Sequence, residues 1–324
     1  MALPSSVLVR MFAVAMRLLF HTVCLLMIAL PLGSATAAPL AYSVNSDQPL
    51  GDTLHVLDLA DGTALPVGAG VSSFGGVRLD IEGLAMAPDL SLWAADDDST
   101  RLFRINTATG LVIQESDVLI TGLDSTIAND YGLTFTCDGT LLASSVVSQS
   151  LFSIDTSTGV ATRIGAAGSL GVNISAIASH GAEPARIYGL GNGLLGDEGP
   201  QDTRSLYEIS LLDGTTTLIG ALGPAVADYA EAGLSFDTEG ALWAITDRSQ
   251  SGQPSEILQL NLETGLASVA STTTIIGFES LAIAPPGGCE PGTPQIPALD
   301  ASGRWLAILA LMLTGLFGLR QRLS

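Results

Sequence analysis

The chain has 324 residues, 47% of them hydrophobic and only 14% charged, with 36 glycines, which is ample for one large core or two ordinary ones. Its basic residues are 12 arginines, with no lysine, and between Pro39 and Asp300 seven arginines stand against 32 acidic residues, a formal net charge of −25. Such a surface repels nucleic acid and anionic membrane, which excludes a nucleic-acid partner, and it suits a soluble exported domain or one that collects cations.

At the start of the chain, Arg17 precedes the apolar run LLFHTVCLLMIALPL, and GSATAA follows. A basic region, a short apolar stretch and small residues at a cleavage point describe a secretory signal peptide. Ala35 and Ala37 fit the A-x-A pattern, so residues 1–38 are expected to be removed and the mature chain to begin near Ala38 or Pro39. The run is short for a membrane anchor, and His21-Thr22-Val23 before Cys24 is not a lipoprotein context.

Beyond it one phrase returns five times: LHVLDLADG, LFRINTATG, LFSIDTSTG, LYEISLLDG and ILQLNLETG, ending at Gly62, Gly110, Gly159, Gly214 and Gly265 with spacings of 48, 49, 55 and 51. The second and fourth positions of each phrase pair His55/Leu57, Phe103/Ile105, Phe152/Ile154, Tyr207/Ile209 and Leu258/Leu260. Period two marks a strand with one buried face. The fifth position is always short and polar (Asp58, Asn106, Asp155, Ser210, Asn261), a side chain that accepts a backbone N–H and starts a turn. The glycine closes the turn in the left-handed region, and a second strand follows.

A second hairpin precedes most copies, beginning at Gly83, Gly132 and Gly233, with a looser version from Ile174. Each unit is thus four strands in about 50 residues, the period and composition of propeller blades. The first unit is one strand short and a spare strand, ESLAIAPPG, follows the last. Velcro-type pairing of the two ends explains both. An open solenoid or a two-sheet sandwich leaves them unexplained. The expected fold is all-β, a five-bladed β-propeller over residues 39–288, with an N-terminal signal peptide and a C-terminal hydrophobic helix. The blade phrase resembles that of secreted bacterial propeller domains, a functionally mixed set, so fold alone implies no activity.

Residues 289–297 form a Pro/Gly-rich linker, and residues 298–324 a tail. In the tail, Trp305–Leu319 is 15 residues without a charge, followed by Arg320 and Arg322. As a helix it rises only ~22 Å against a hydrocarbon core of ~30 Å, a marginal span, and the arginines favour a cytoplasmic end. Ile296-Pro297-Ala298-Leu299, then Gly303 and Trp305, the apolar stretch and the arginines resemble the IPTL-CTERM sorting tail of Gram-negative envelope proteins. Ala298 stands where that family has Thr, and Ser302-Gly303-Arg304-Trp305 where it usually has acid-Trp-Gly. The resemblance implies an exported protein at the cell envelope or surface, with the membrane, through its C-terminal helix, and a sorting or processing machinery as partners. It implies nothing about chemistry.

Catalytic signatures are scarce. The chain holds no G-x-S-x-G, H-E-x-x-H or C-x-x-C. Gly191–Gly196 matches G-x-G-x-x-G, but DEGPQD follows instead of a helix, and a dinucleotide loop needs that helix N-terminus. His55 takes the place of Phe103 in the repeat and reads as a packed strand residue; His180 precedes Gly181 in a turn. One constellation carries chemistry. Glu82, Asp130, Glu231 and Glu279 each stand one or two residues before the Gly or Ser that opens an inner strand. Inner strands line a propeller's channel, so the four carboxylates are expected at one mouth, as hard oxygen ligands suited to calcium. Solvated loop acids in an acidic chain are the alternative. The fourth blade offers Asn173 and Ser175 instead.

Cys137 and Cys289 are the cysteines left after signal removal. An even count in an oxidising compartment favours a disulfide. The blades concerned are not neighbours, so the bridge depends on the linker's reach, and free thiols are the alternative. Two functions follow: an exported, non-catalytic binding or structural module for an envelope protein, glycan or polymer, or a calcium-dependent hydrolase using the channel-mouth acids.

Overall fold

A computed structural model describes residues 40–289 apart from 47–51, 69, 72–79, 98, 124–129, 182–183, 194–203, 285–286 and 288. The signal peptide, the sorting motif and the C-terminal helix expected from the sequence lie outside the described residues, in which no helix is long and apolar enough to cross a membrane.

Twenty strands form five four-stranded antiparallel sheets. Blade 1 is built from β1 (Leu40–Asn45), β2 (Thr53–Asp58), β3 (Ala64–Pro66) and the last strand, β20 (Ala282–Ile283). Blade 2 holds β4 (Ile81–Met86), β5 (Leu92–Asp96), β6 (Arg101–Ile105) and β7 (Val112–Leu119). Blade 3 holds β8 (Tyr131–Phe135), β9 (Leu141–Ser145), β10 (Ser150–Ile154) and β11 (Ala161–Ile164). Blade 4 holds β12 (Ile174–His180), β13 (Arg186–Gly191), β14 (Ser205–Ile209) and β15 (Thr216–Ala221). Blade 5 holds β16 (Ala232–Phe236), β17 (Leu242–Thr246), β18 (Glu256–Leu260) and β19 (Ala267–Thr272). The fold is the expected five-bladed propeller, and β20 pairs with β1 through Ala41↔Ile283 and Tyr42↔Ala282.

Burial grades outward. All five residues of β9 and of β17 are buried, whereas the outer β19 reads mostly exposed. The outermost strands therefore bury few residues, while burial runs nearly unbroken further in. Five apolar clusters lie among the described residues, and each joins two neighbouring blades. The core is thus divided among the blade interfaces, and no blade buries its faces alone.

The repeated phrase forms the hairpin joining the third and fourth strands of a blade. In blade 3, Asp155 Oδ1 accepts the N–H groups of Ser157 and Thr158 at 2.8 and 3.1 Å, and Gly159 N donates to Asp155 O at 2.7 Å. Gly159 has φ +73°, and a Cβ there would drive into the carbonyl of Leu119 in blade 2. The same collision awaits a Cβ at Gly62, Gly110, Gly214 and Gly265, each against the outer edge of the preceding blade. Every hairpin is seated on its neighbour, with blade 1 seated on blade 5, so the ring closes through this contact as well as through β20.

Beyond β20, two described residues are fixed to other blades. Gly287 N donates to Phe236 O in blade 5 at 3.2 Å, and Cys289 is disulfide-bonded to Cys137 in the first turn of blade 3, with Cα atoms 5.0 Å apart. Gly287 and Cys289 are thus both held against the ring, the latter at the start of the expected linker.

Candidate functional site at the channel mouth

The upper mouth is made where inner strands begin and second strands end. Glu231 precedes β16, and its carbonyl accepts Asp247 N at 2.8 Å. Asp130 precedes β8, and its carbonyl accepts Val146 N at 3.2 Å. Glu279 follows Phe278, which forms a bridge to Asn45. Glu82 lies inside β4, where the register jumps from Ile81↔Asp96 to Gly83↔Ala95. That bulge leaves Glu82 without a cross-strand partner and re-aims its side chain. Ser175 occupies the same place in blade 4, between Ile174↔Gly191 and Ala176↔Leu190.

Close approach of the inner strands brings these residues together. A Cβ on Gly83 would strike Leu133 and the Tyr131 carbonyl, one on Gly132 the backbone of Ala176 and Ile177, and one on Gly233 the backbone of Ser280 and Leu281. Each glycine is required by the neighbouring blade. The channel between these strands encloses about 10 Å³, room for about one water.

Carboxylate oxygens of Glu82, Glu231 and Glu279 lie within 4.8 Å of one another. Asp130 is hydrogen-bonded to Glu231 and close enough to Glu82 to repel it. Asp130 and Glu279 are 8% and 4% exposed; Glu82 and Glu231 keep some surface on the channel but are enclosed by protein. Burial, and then the charges of Glu279 and Asp130, push Glu82 well above the usual carboxylate range. Burial, and then Glu82 and Asp130, do the same to Glu231. Three carboxylates at this spacing, with a fourth hydrogen-bonded to one of them, share protons or surround a cation. All four acids expected at the mouth are thus brought together. Of the two neutral candidates in blade 4, Asn173 Oδ1 accepts Gln149 Nε2 at 2.8 Å, while Ser175 lines the channel beside Glu82.

A second acidic group was not legible in the sequence. Oxygens of Asp80 and Asp97 lie within 4.8 Å of each other and of Glu82. They are held there by backbone ties: Asp80 N donates to Asp96 Oδ1 at 2.8 Å, Ile81 N to Asp52 Oδ2 at 3.3 Å, and Asp97 N to Asp80 O at 3.1 Å. The run Asp96-Asp97-Asp98 was its only signal.

The two histidines among the described residues are packed. His55 stacks edge-on against Phe278 at 5.1 Å, with Nδ1 2.9 Å from Thr53 O; burial lowers its pKa. His180 ends β12, one residue before the turn, and rests on Phe236 at 4.7 Å. In the glycine motif, Gly191 ends β13, and a Cβ on Gly193 would strike the Tyr229 carbonyl. Residues 194–196 lie outside the described residues.

No protein-family model matches the sequence, and no curated protein matches it. Solved structures similar to it include a protein of unknown function from Bacteroides caccae, at 10% identity over 76% of this chain and 99% of that one, TM-score 0.47. A chain of the nidogen/laminin complex is 10% identical over 76% and 98%, TM-score 0.45. Virginiamycin B lyase from Staphylococcus aureus is 14% identical over 72% and 70%, TM-score 0.40.

Proposed function

We propose that this chain is an exported, envelope- or surface-targeted propeller that serves as a non-catalytic binding module. The observation that carries this reading is a groove of about 620 Å³ on blade 3, lined by Thr140, Ser153, Asp155, Thr156, Thr158 and Thr162. It is rich in hydroxyl groups that donate and accept hydrogen bonds, and its one titratable lining residue, Asp155, is occupied as a turn acceptor. Such a wall grips a polar partner, an envelope glycan or polymer above all, without supplying an acid–base pair. The leader at residues 1–38 and the sorting-tail pattern from Ile296 support the address.

The test is cosedimentation of the purified protein with envelope polysaccharide and peptidoglycan fractions. Wild type is expected to bind, and Thr156→Arg with Thr158→Arg, which fills the groove, to abolish binding while leaving the melting temperature unchanged. Equal binding by both proteins, or by neither, removes the reading. The convergence of Glu82, Asp130, Glu231 and Glu279 favours a second reading, a calcium-dependent hydrolase. Calcium-dependent turnover of an ester, lactone or glycoside, lost in Glu82→Gln, would establish it in place of the first.

A further inference from the structure

We infer that the channel mouth holds one divalent cation of the calcium class on the ring axis, with one oxygen ligand from each blade: Glu279, Glu82, Asp130, Ser175 and Glu231. This goes beyond the binding reading, since the ion staples the ring whatever the outer face binds.

The spacing is that of a coordination shell. Oxygens bound to one calcium at 2.3–2.6 Å lie no more than about 5.2 Å apart, and those of Glu82, Glu231 and Glu279 fall within 4.8 Å of one another. Asp130 joins the group through its hydrogen bond to Glu231. Blade 4 provides the independent observation. It is the blade without a carboxylate here, and its bulged residue is Ser175, 4% exposed, with an Oγ that has no hydrogen-bond partner. A buried hydroxyl left unmatched forfeits the hydrogen bonds it had in water. Ser175 lines the same channel segment as Glu82 and holds the same bulged position in its blade, which makes its oxygen the one that blade 4 would offer an ion there.

Donor chemistry narrows the ion. Four carboxylates and a hydroxyl are hard oxygen donors with no nitrogen or sulfur among them, which excludes a zinc or copper preference. Five protein oxygens, two from within inner strands and three from the residues just before them, form an irregular, adjustable shell that calcium accepts. Magnesium demands near-octahedral geometry and keeps several waters. The role follows from the closure: β20 contributes only two paired residues, whereas the ion would tie the inner strands of all five blades at one point.

The experiment takes the full chain, stripped with chelator, and follows calcium by titration calorimetry and melting by circular dichroism at physiological salt. One tightly held ion per chain and a raised melting temperature are expected. Ser175→Ala, which removes one neutral oxygen, is expected to weaken binding by about tenfold. Glu82→Gln with Glu279→Gln is expected to abolish tight binding and yet to melt higher than the metal-free wild type, because the cost of burying these acids close together is relieved. That paired signature separates a ligand set from residues that only support the fold. The inference is overturned if chelator and calcium leave the melting temperature of the wild type unchanged, or if the double variant binds calcium as the wild type does, the mark of diffuse attraction to an acidic surface. Magnesium binding as tightly as calcium overturns the calcium assignment.

Discussion

The glycine that closes each repeated hairpin answers to two constraints at once. Gly159 needs φ +73° for its own turn, and it also needs the space that the Leu119 carbonyl of blade 2 would deny a Cβ. Gly139, at φ +86° with nothing within 4 Å of a Cβ, answers only to the first. Gly139→Ala is therefore expected to cost roughly 1 kcal/mol, and Gly159→Ala roughly 3 kcal/mol or more, since the neighbouring blade must move as well. Urea denaturation of the pair measures the difference; equal losses would show that the hairpins are not seated on their neighbours. His55 makes a pH prediction. Its folded pKa is lowered, by burial first, with the hydrogen bond to Thr53 opposing, so the unfolded chain takes up the proton more readily. Stability is then lost as pH falls below the unfolded value of about 6.5. His55→Phe, which restores the residue found at Phe103 and Phe152, is expected to flatten this part of the pH–stability curve and leave neutral stability nearly unchanged.

At the scale of elements, the ends of the ring are where closure is thin. The two paired residues of β20 are followed by a segment that crosses blade 5 and reaches blade 3, where Cys289 meets Cys137 across 152 residues of sequence. A crosslink over so long a loop restricts the unfolded chain strongly. Cys137→Ser with Cys289→Ser is expected to lose about 2–4 kcal/mol and to expose β20 to protease first. Thiol titration of the unfolded, unreduced protein gives the direct check, and two reactive thiols would exclude the bridge. The sequence placed the two cysteines in blades that do not touch and left the pairing to the reach of the linker. What brings them together is the anchoring of the chain at Gly287, whose missing side chain lets the backbone lie against Asp237.

For the whole molecule, the balance of 32 acidic residues against seven arginines between Pro39 and Asp300 keeps the ring apart from nucleic acid and anionic lipid surfaces. If the chain is membrane-attached as proposed, the attachment comes from elements outside the ring. Deleting residues 296–324 is expected to release the ring, shortened by its leader, into the medium, followed by immunoblot of cell fractions. Recovery of the full-length chain in the cytosol would sink the export reading.

Blade number, closure by a strand from the far end and the hairpin with its polar starter and glycine were all written locally, in periods of two residues and of about 50, because strand alternation and turn chemistry depend on neighbours in sequence. The four acids were legible for the same reason: each stands at the start of an inner strand. Their distances from one another were not, since they are set across the ring axis by how closely inner strands pack, and that packing depends on Gly83, Gly132 and Gly233 meeting backbone from other blades. Ser175 was indistinguishable from Asn173 in sequence, because a bulge arises from the register between two strands and leaves no mark on either alone. Asp80 and Asp97 became neighbours of Glu82 through hydrogen bonds from backbone N–H groups to the Asp96 carboxylate and the Asp80 carbonyl, contacts that pattern along one strand does not encode.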